Sequence, residues 1–373
     1  MGKRELLLIA GFVLIGTMVY YATVPAGAPN EKGMSVSKLL EEVRRELHGN
    51  PGSAEASSST VVPLPDGATE LRIEVGNTPL TIVGEARTDI ACDLSVRSNG
   101  YDDAEAAKLA QATKIKFNDA GATMVLGIDY PEPGAQRATL ALKVPKSLAV
   151  RIQPSRGRLE ISDVNAAEIV EARGQTAVRR VSRLVATHRG GKLEMEDIAS
   201  LKLNTRGSAI WLTRVKGDAI LQIQAGELRA SAIGGPIELE SNNSKVVIED
   251  LAATRKSVRM NTVGGSVNLT GVSSEVRIDG RDTRVTVTLE KPAPLAIYTE
   301  GGEPIEVTLP DGGVKLDALA TDSRLTVPEG LAEVKVDGEE QRVTASIAGG
   351  GPTITLRTVR GNITIKTKKP DTD

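Results

Sequence analysis

Four charged residues recur at one spacing: Asp163, Arg180, Asp197 and Arg214 follow one another at steps of 17 residues. If each step is one β coil, neighbouring strands lie about 4.8 Å apart and the four side chains form an alternating acid–base column. Asp163 and Asp197 would then stand about 9.6 Å apart, at the edge of the roughly 6.5 to 9.5 Å that separates the carboxyl pair of an inverting glycoside hydrolase. Arg180 between them would pair with both and keep both ionised, which leaves no general acid. Ion pairing that fixes coil register is the simpler reading, and exposed pairs of this kind add little stability. Trp211, beside Glu194 of the preceding coil, is a candidate sugar platform. Asp163, Arg180, Asp197, Trp211 and Arg214 are thus candidates for a surface interaction, with no catalytic, cofactor or metal role assigned.

Other chemistry is sparse. His48 and His188 lack a second His, Cys or suitably spaced carboxylate, so neither zinc ligation nor a catalytic triad is indicated. Cys92, the one cysteine, has apolar flanks in Ile90, Ala91 and Leu94 and reads as a small core residue. Gly349–Gly351 precedes a proline and a strand pattern, not a helix, so it is a turn and not a phosphate loop. With 46 basic and 48 acidic residues the net charge is -2, which gives no nucleic-acid footprint.

The element that must carry the column is a repeat, Gly-x-Φ-x-Φ-x-x-Φ with Φ apolar. Its Gly or Ser anchors are Gly157, Gly174, Gly191, Ser208, Gly226, Ser244 and Gly265, at steps of 17, 17, 17, 18, 18 and 21 residues. Of the 21 slots at anchor +2, +4 and +7, only Thr176 is not apolar. Such a period with alternation of two predicts a β-solenoid. A second apolar set lies between the anchored strands: Leu201/Leu203, Leu221/Ile223, Ile237/Leu239, Val258/Met260, Val276/Ile278 and Leu295/Ile297. Each coil therefore supplies two strands with inward i, i+2 side chains. The scarcity of aromatics, 2% of the chain, suits a narrow bore filled by Val, Ile and Leu.

At the N-terminal end, Leu6 to Val24 is a run of 19 uncharged residues behind Lys3 and Arg4. That length just spans the ~30 Å hydrocarbon core of a bilayer, and the basic flank predicts a cytoplasmic N-terminus with the rest outside. A cleaved signal peptide is the alternative. Ser35 to Leu47 has helical periodicity, and the Ser/Ala-rich Gly52 to Thr60 is expected as a flexible tether. The organisation expected is an anchor at 1–25, a juxtamembrane helix and tether at 26–60, an irregular β cap at 61–153, the solenoid at 154–367 and a polar tail at 368–373. A short helix starting at Asp102 or Asp103 interrupts the cap, and Lys366, Lys368 and Lys369 are expected to protect the last strand edge.

Several segments resemble the bacterial putative-adhesin family, whose β-helical domain is also known as a domain of unknown function. They are Gly76-Asn-Thr-Pro-Leu-Thr-Ile-Val-Gly84, the Asp102 to Thr113 insert, Ala141-Leu-Lys-Val-Pro145 leading to Gly157-Arg-Leu-Glu-Ile161, and Ile347 to Leu356 followed by Gly361-Asn-Ile-Thr-Ile365. The resemblance covers about residues 60 to 367 and departs at Thr78-Pro79, where the family usually has Gly. It implies an all-β solenoid in the cell envelope and brings no catalytic residues and no cofactor.

The expectation is therefore a non-enzymatic, single-pass envelope protein that presents a rigid solenoid for adhesion, scaffolding or sensing. Its partners would be the membrane, through the N-terminal helix, and envelope proteins or glycans. A polysaccharide-active β-helix enzyme and a self-assembling structural β-helix are the alternatives.

Overall fold

The computed structural model describes residues 51–251 and 257–368, together with Ile15. Ile15 apart, the Leu6 to Val24 run lies outside the described residues, as do the Ser35 to Leu47 helix and the last five positions of the polar tail. Among the described residues no helix is long and apolar enough to cross a membrane. Two compact units are present. The smaller comprises 51–56, Val96–Thr113 and Tyr130–Arg137, and the larger holds Ser57–Ser95, Lys114–Asp129 and the chain from Ala138 onward.

The larger unit is a stack of β coils, each with two strands. One stack of strands carries the +2 and +4 positions (the anchor sheet), and the other carries the second apolar set (the return sheet). In the anchor sheet Ile210–Leu212 registers with Leu228–Ala230, which registers with Val246–Ile248, all parallel. In the return sheet Leu201, Leu203 and Thr205 align with Ala219, Leu221 and Ile223, and these with Ile237, Leu239 and Ser241. All 21 repeat slots are buried, Thr176 included, none exposing more than 5% of its surface. The core is thus columns of apolar residues one coil apart.

Corners explain why 17 residues suffice for a coil. The +6 residue has positive φ in all seven repeats: Asp163 61°, Arg180 52°, Asp197 57°, Arg214 57°, Ala232 55°, Asp250 53° and Gly271 68°. One left-handed residue turns the chain between +4 and +7 without breaking the pairing, so Ala166–Val215 runs as a continuous 50-residue strand through its corners. Six of these seven carry a Cβ, although the left-handed region costs L-residues roughly 1 to 2 kcal/mol. The packed columns on either side hold the strain. At the other corner the coils touch: Gly191 has φ 93°, and a Cβ there would stand 2.2 Å from the Gly174 carbonyl oxygen. Small anchors are required by that approach as much as by conformation.

Both ends of the stack differ from the expected linear order. Glu70–Glu74 lies between Thr123–Asp129 and Ala149–Ile152, parallel to both, and Leu80–Glu85 lies between Gln136–Pro145 and Leu159–Ser162. Part of the block expected as an irregular cap therefore continues the solenoid, with Lys114–Ala120 closing it antiparallel to Thr123–Asp129. At the far end Thr353–Val359 is threaded between Leu295–Glu300 and Val314–Thr321. Ile363–Thr367 sits in the same way between Ile305–Leu309 and Leu325–Thr326. The lysine-rich segment is thus no edge: Lys366 pairs with Glu306 across one coil at 2.6 Å. The return sheet ends at Glu340–Ile347, antiparallel to Val314–Thr321 and flanked by Lys335–Asp337, and the anchor sheet ends at the two-residue strand Leu325–Thr326.

The expected tether is also a strand. Gly52–Pro63 pairs with Asp89–Gly100, and the Ser59 hydroxyl donates to Asp93 at 2.6 Å. Ser-rich composition lowers the drive to fold but leaves every backbone donor available to a neighbouring ladder. In the smaller unit the helix Asp103–Ala112 is capped by Asp102, which accepts from the Glu105 amide at 2.8 Å. Glu105 in turn accepts from the Tyr101 amide at 2.7 Å, a reciprocal cap. The buried stripe of this helix is Ala106 and Ala110, with Leu109 only half-buried.

Candidate functional site

The column of Asp163, Arg180, Asp197 and Arg214 exists as residues on one corner but not as one chain of ion pairs. Arg180 donates from Nε and Nη2 to the two oxygens of Asp163, at 2.7 and 2.6 Å. Arg214 does the same to Asp197, at 2.7 and 3.1 Å, and also reaches Glu196. The expected Arg180–Asp197 pair does not form. Each arginine turns its Nε–Nη2 edge to the aspartate of the preceding coil, so the column resolves into two couples. Hydrogen bonding from Arg180 holds the Asp163 carboxyl below its ordinary range, and Arg214 does so for Asp197. Two carboxylates tied in this way can act neither as general acid nor as nucleophile without breaking a fork.

The couples lie in solvent, and their removal should be mild. Arg180→Ala is expected to lower the melting temperature by no more than about 3 °C. The loss should shrink in high salt, because screening sets in beyond about 10 Å at 0.1 M. Thermal melts of both proteins at two salt concentrations check this. A large loss that salt does not reduce would mean that the fork acts as part of the core.

Trp211 lies on the outer face of the anchor sheet, with Lys192 Nζ 4.9 Å from its ring centre. Lys192 also pairs with Glu194. The indole is therefore part of a local charge–ring cluster. The depression beside it, about 390 Å³, is lined by Lys192, Glu194, Glu160 and Arg179 and does not include the indole.

Two further groups are closed to chemistry. Cys92 is fully buried in Asp89–Gly100, and desolvation pushes its thiol up to about 12, so no thiolate is available near neutral pH. His188 is 1% exposed. Its Nδ1 is hydrogen-bonded to the Ser208 hydroxyl at 2.9 Å, and Nε2 has no partner. Burial lowers its pKa to about 4. Among the described residues no group of three His, Cys, Asp or Glu is arranged to hold a metal.

A further surface feature lies on the outer face of the return sheet. A groove of about 560 Å³ crosses the Val258–Val272, Val276–Arg281, Leu295–Glu300 and Thr353–Val359 strands. A second, of about 360 Å³, continues it over Asn204, Gln222 and Gln224 and shares Asn261 and Val263 with the first. The side chains that build it occupy two columns. One runs Asn204, Gln222, Glu240, Asn261, Asp279, Tyr298, Arg357, and the other runs Arg206, Gln224, Asn242, Val263, Arg281, Glu300, Val359. Sequence reasoning passed over these residues because they are the outward partners of the second apolar set, where polar residues are the default. The signal was the recurrence of amides at the coil step.

A regular two-strand coil with a left-handed corner at +6, and interleaved strands at both ends, invites comparison with known proteins. The profile of the Toastrack DUF4097 family matches residues 68–366, most of the chain. The chain belongs to that family. Three solved structures resemble this Toastrack chain at low identity. A putative adhesin from Parabacteroides distasonis ATCC 8503 is 11% identical, with 86% of this chain and 98% of that one covered and a TM-score of 0.36. One from Parabacteroides merdae ATCC 43184 is 13% identical, with 86% and 98% covered and a TM-score of 0.33. A putative cell adhesion protein from Clostridium sporogenes ATCC 15579 is 12% identical, with 84% and 100% covered and a TM-score of 0.20. No curated protein matches the Toastrack chain.

Proposed function

We propose that the chain is a non-enzymatic envelope protein, anchored by Leu6 to Val24, whose Toastrack solenoid presents a rigid surface for adhesion. The observation that carries this reading is the closed stack. Parallel coils pair continuously in two sheets, and the return sheet is finished at both ends by an antiparallel strand, Lys114–Ala120 at one and Glu340–Ile347 at the other. The return sheet thus offers no parallel edge, and the parallel edge of the anchor sheet, Leu325–Thr326, is only two residues long; edges blunted in this way argue against filament growth. The forked Asp163 and Asp197 argue against sugar hydrolysis. The names of the three similar structures agree with an adhesive role. Membrane anchorage rests on the 19 uncharged residues behind Lys3 and Arg4.

The test is topological. A reporter active only in the cytoplasm, fused after Asp373, should give no signal, and one active only outside should give full signal. Cytoplasmic activity would overturn the anchored, outward-facing reading.

A further inference from the structure

We infer that the groove on the outer face of the return sheet binds an extended, uncharged glycan, laid along the stack across the strands. The inference rests on the adhesive reading above and gives it a ligand class and a site.

The groove repeats with the coil. Seven strands, from the one holding Leu201–Arg206 to Thr353–Val359, place like positions about 4.8 Å apart, a track about 29 Å long. An equatorially linked pyranose chain advances by close to one strand spacing per ring, so successive sugars meet equivalent side chains. Four of those side chains are amides without a hydrogen bond to another described residue: Asn204, Gln224, Asn242 and Asn261. Each offers both donors and an acceptor, the complement of vicinal sugar hydroxyls.

Tyr298, 37% exposed, lines the groove on the sixth of the seven strands. Its ring is braced by Arg277, whose guanidinium lies 5.0 Å from the ring centre and is held by Asp279 at 2.8 and 3.1 Å. A fixed ring in the same column as Asn261, two strands on and so about 9.6 Å away, is a stacking platform in line with hydrogen-bonding groups, which Trp211 lacks.

Charge decides against other occupants. The ionic groups of the groove are largely spoken for: Asp279 by Arg277, Arg357 by Asp317, and Arg281 facing Glu300 at 3.9 Å. Arg206, at one end of the track, is the one cation of the two columns without an acidic partner among the described residues, and one arginine is too little to select a polyanion such as a nucleic acid or an acidic polysaccharide. Two exposed valines, Val263 and Val359, are too little apolar surface for a lipid or an apolar peptide face.

The experiment uses the full chain in detergent micelles against cellohexaose, chitohexaose, an oligogalacturonate and an envelope-protein-coated surface. Binding to one or both neutral hexamers is expected. Tyr298→Ala should weaken it at least tenfold, Asn261→Ala should weaken it several-fold, and Trp211→Ala should leave it unchanged, all with unaltered melting temperature. Binding that survives both groove variants, or prefers the oligogalacturonate, overturns the proposal. Retention on the protein surface alone also overturns it, while the adhesive reading stands. Appearance of shortened oligosaccharides would leave the site in place and remove the non-enzymatic reading instead.

Discussion

Leu212→Asp should leave no folded protein in the soluble fraction. Leu212 is 1% exposed and in register with Ala230 one coil on, and every column neighbour is apolar. The substitution removes a buried aliphatic side chain and places a carboxylate where no donor can reach it, a loss of more than about 5 kcal/mol. In a repeat stack each coil is supported only by its two neighbours, so the defect interrupts the pairing on both sides. Circular dichroism and sedimentation of the expressed protein check the outcome. Leu212→Met, which keeps the volume, should fold with a loss of less than about 1.5 kcal/mol. A soluble, β-rich Leu212→Asp protein would mean that the columns are not the core.

The second large effect depends on pH and is centred on His188. Its folded pKa of about 4 lies below the ordinary 6.5, so the folded state holds the neutral ring. Between those values the unfolded chain binds the extra proton, and stability rises with pH. The contribution is complete above about pH 6.5, falls as the pH drops, and is gone below about pH 4, a difference of about 3 kcal/mol. His188→Asn should flatten this slope, leaving only the carboxylates to titrate, and denaturant unfolding of both proteins from pH 4 to 7 would show it. Parallel slopes for the two proteins would show that His188 takes up its proton without leaving the fold.

The regular interior is legible in the sequence because each coil repeats the same burial problem. Leu159, Leu193, Ile210 and their column mates have to be apolar whatever the outer surface does. Thr176 falls outside the pattern yet is buried, its hydroxyl without a partner, since a column can accept one polar member of the right size. The left-handed +6 corner is hidden for the opposite reason. Asp163, Arg180, Ala232 and Gly271 share a backbone conformation and no side-chain chemistry. The acid–base spacing is visible, but which partner each arginine chooses is not, because that depends on the geometry of a fork. Threading of Thr353–Val359 between earlier strands is equally invisible: its alternation is that of any strand, and only pairing in space assigns its neighbours. The groove lies in plain view as Asn204, Gln224, Asn242 and Asn261, yet a polar outward residue on a strand carries no information until its neighbours in the stack are known.

That threading sets a timetable for the nascent chain. Residues 295–309 and 314–326 emerge from the ribosome before residues 353–367, yet the later segment lies between them in the finished stack. The coils cannot simply zip up in order of synthesis: near residue 310 the growing stack must stop and hold a place open. Until the late segment arrives, Leu295–Glu300 and Ile305–Leu309 each present a bare parallel edge. A chain translocated while still being made would keep those edges apart from other chains until the insert closes them.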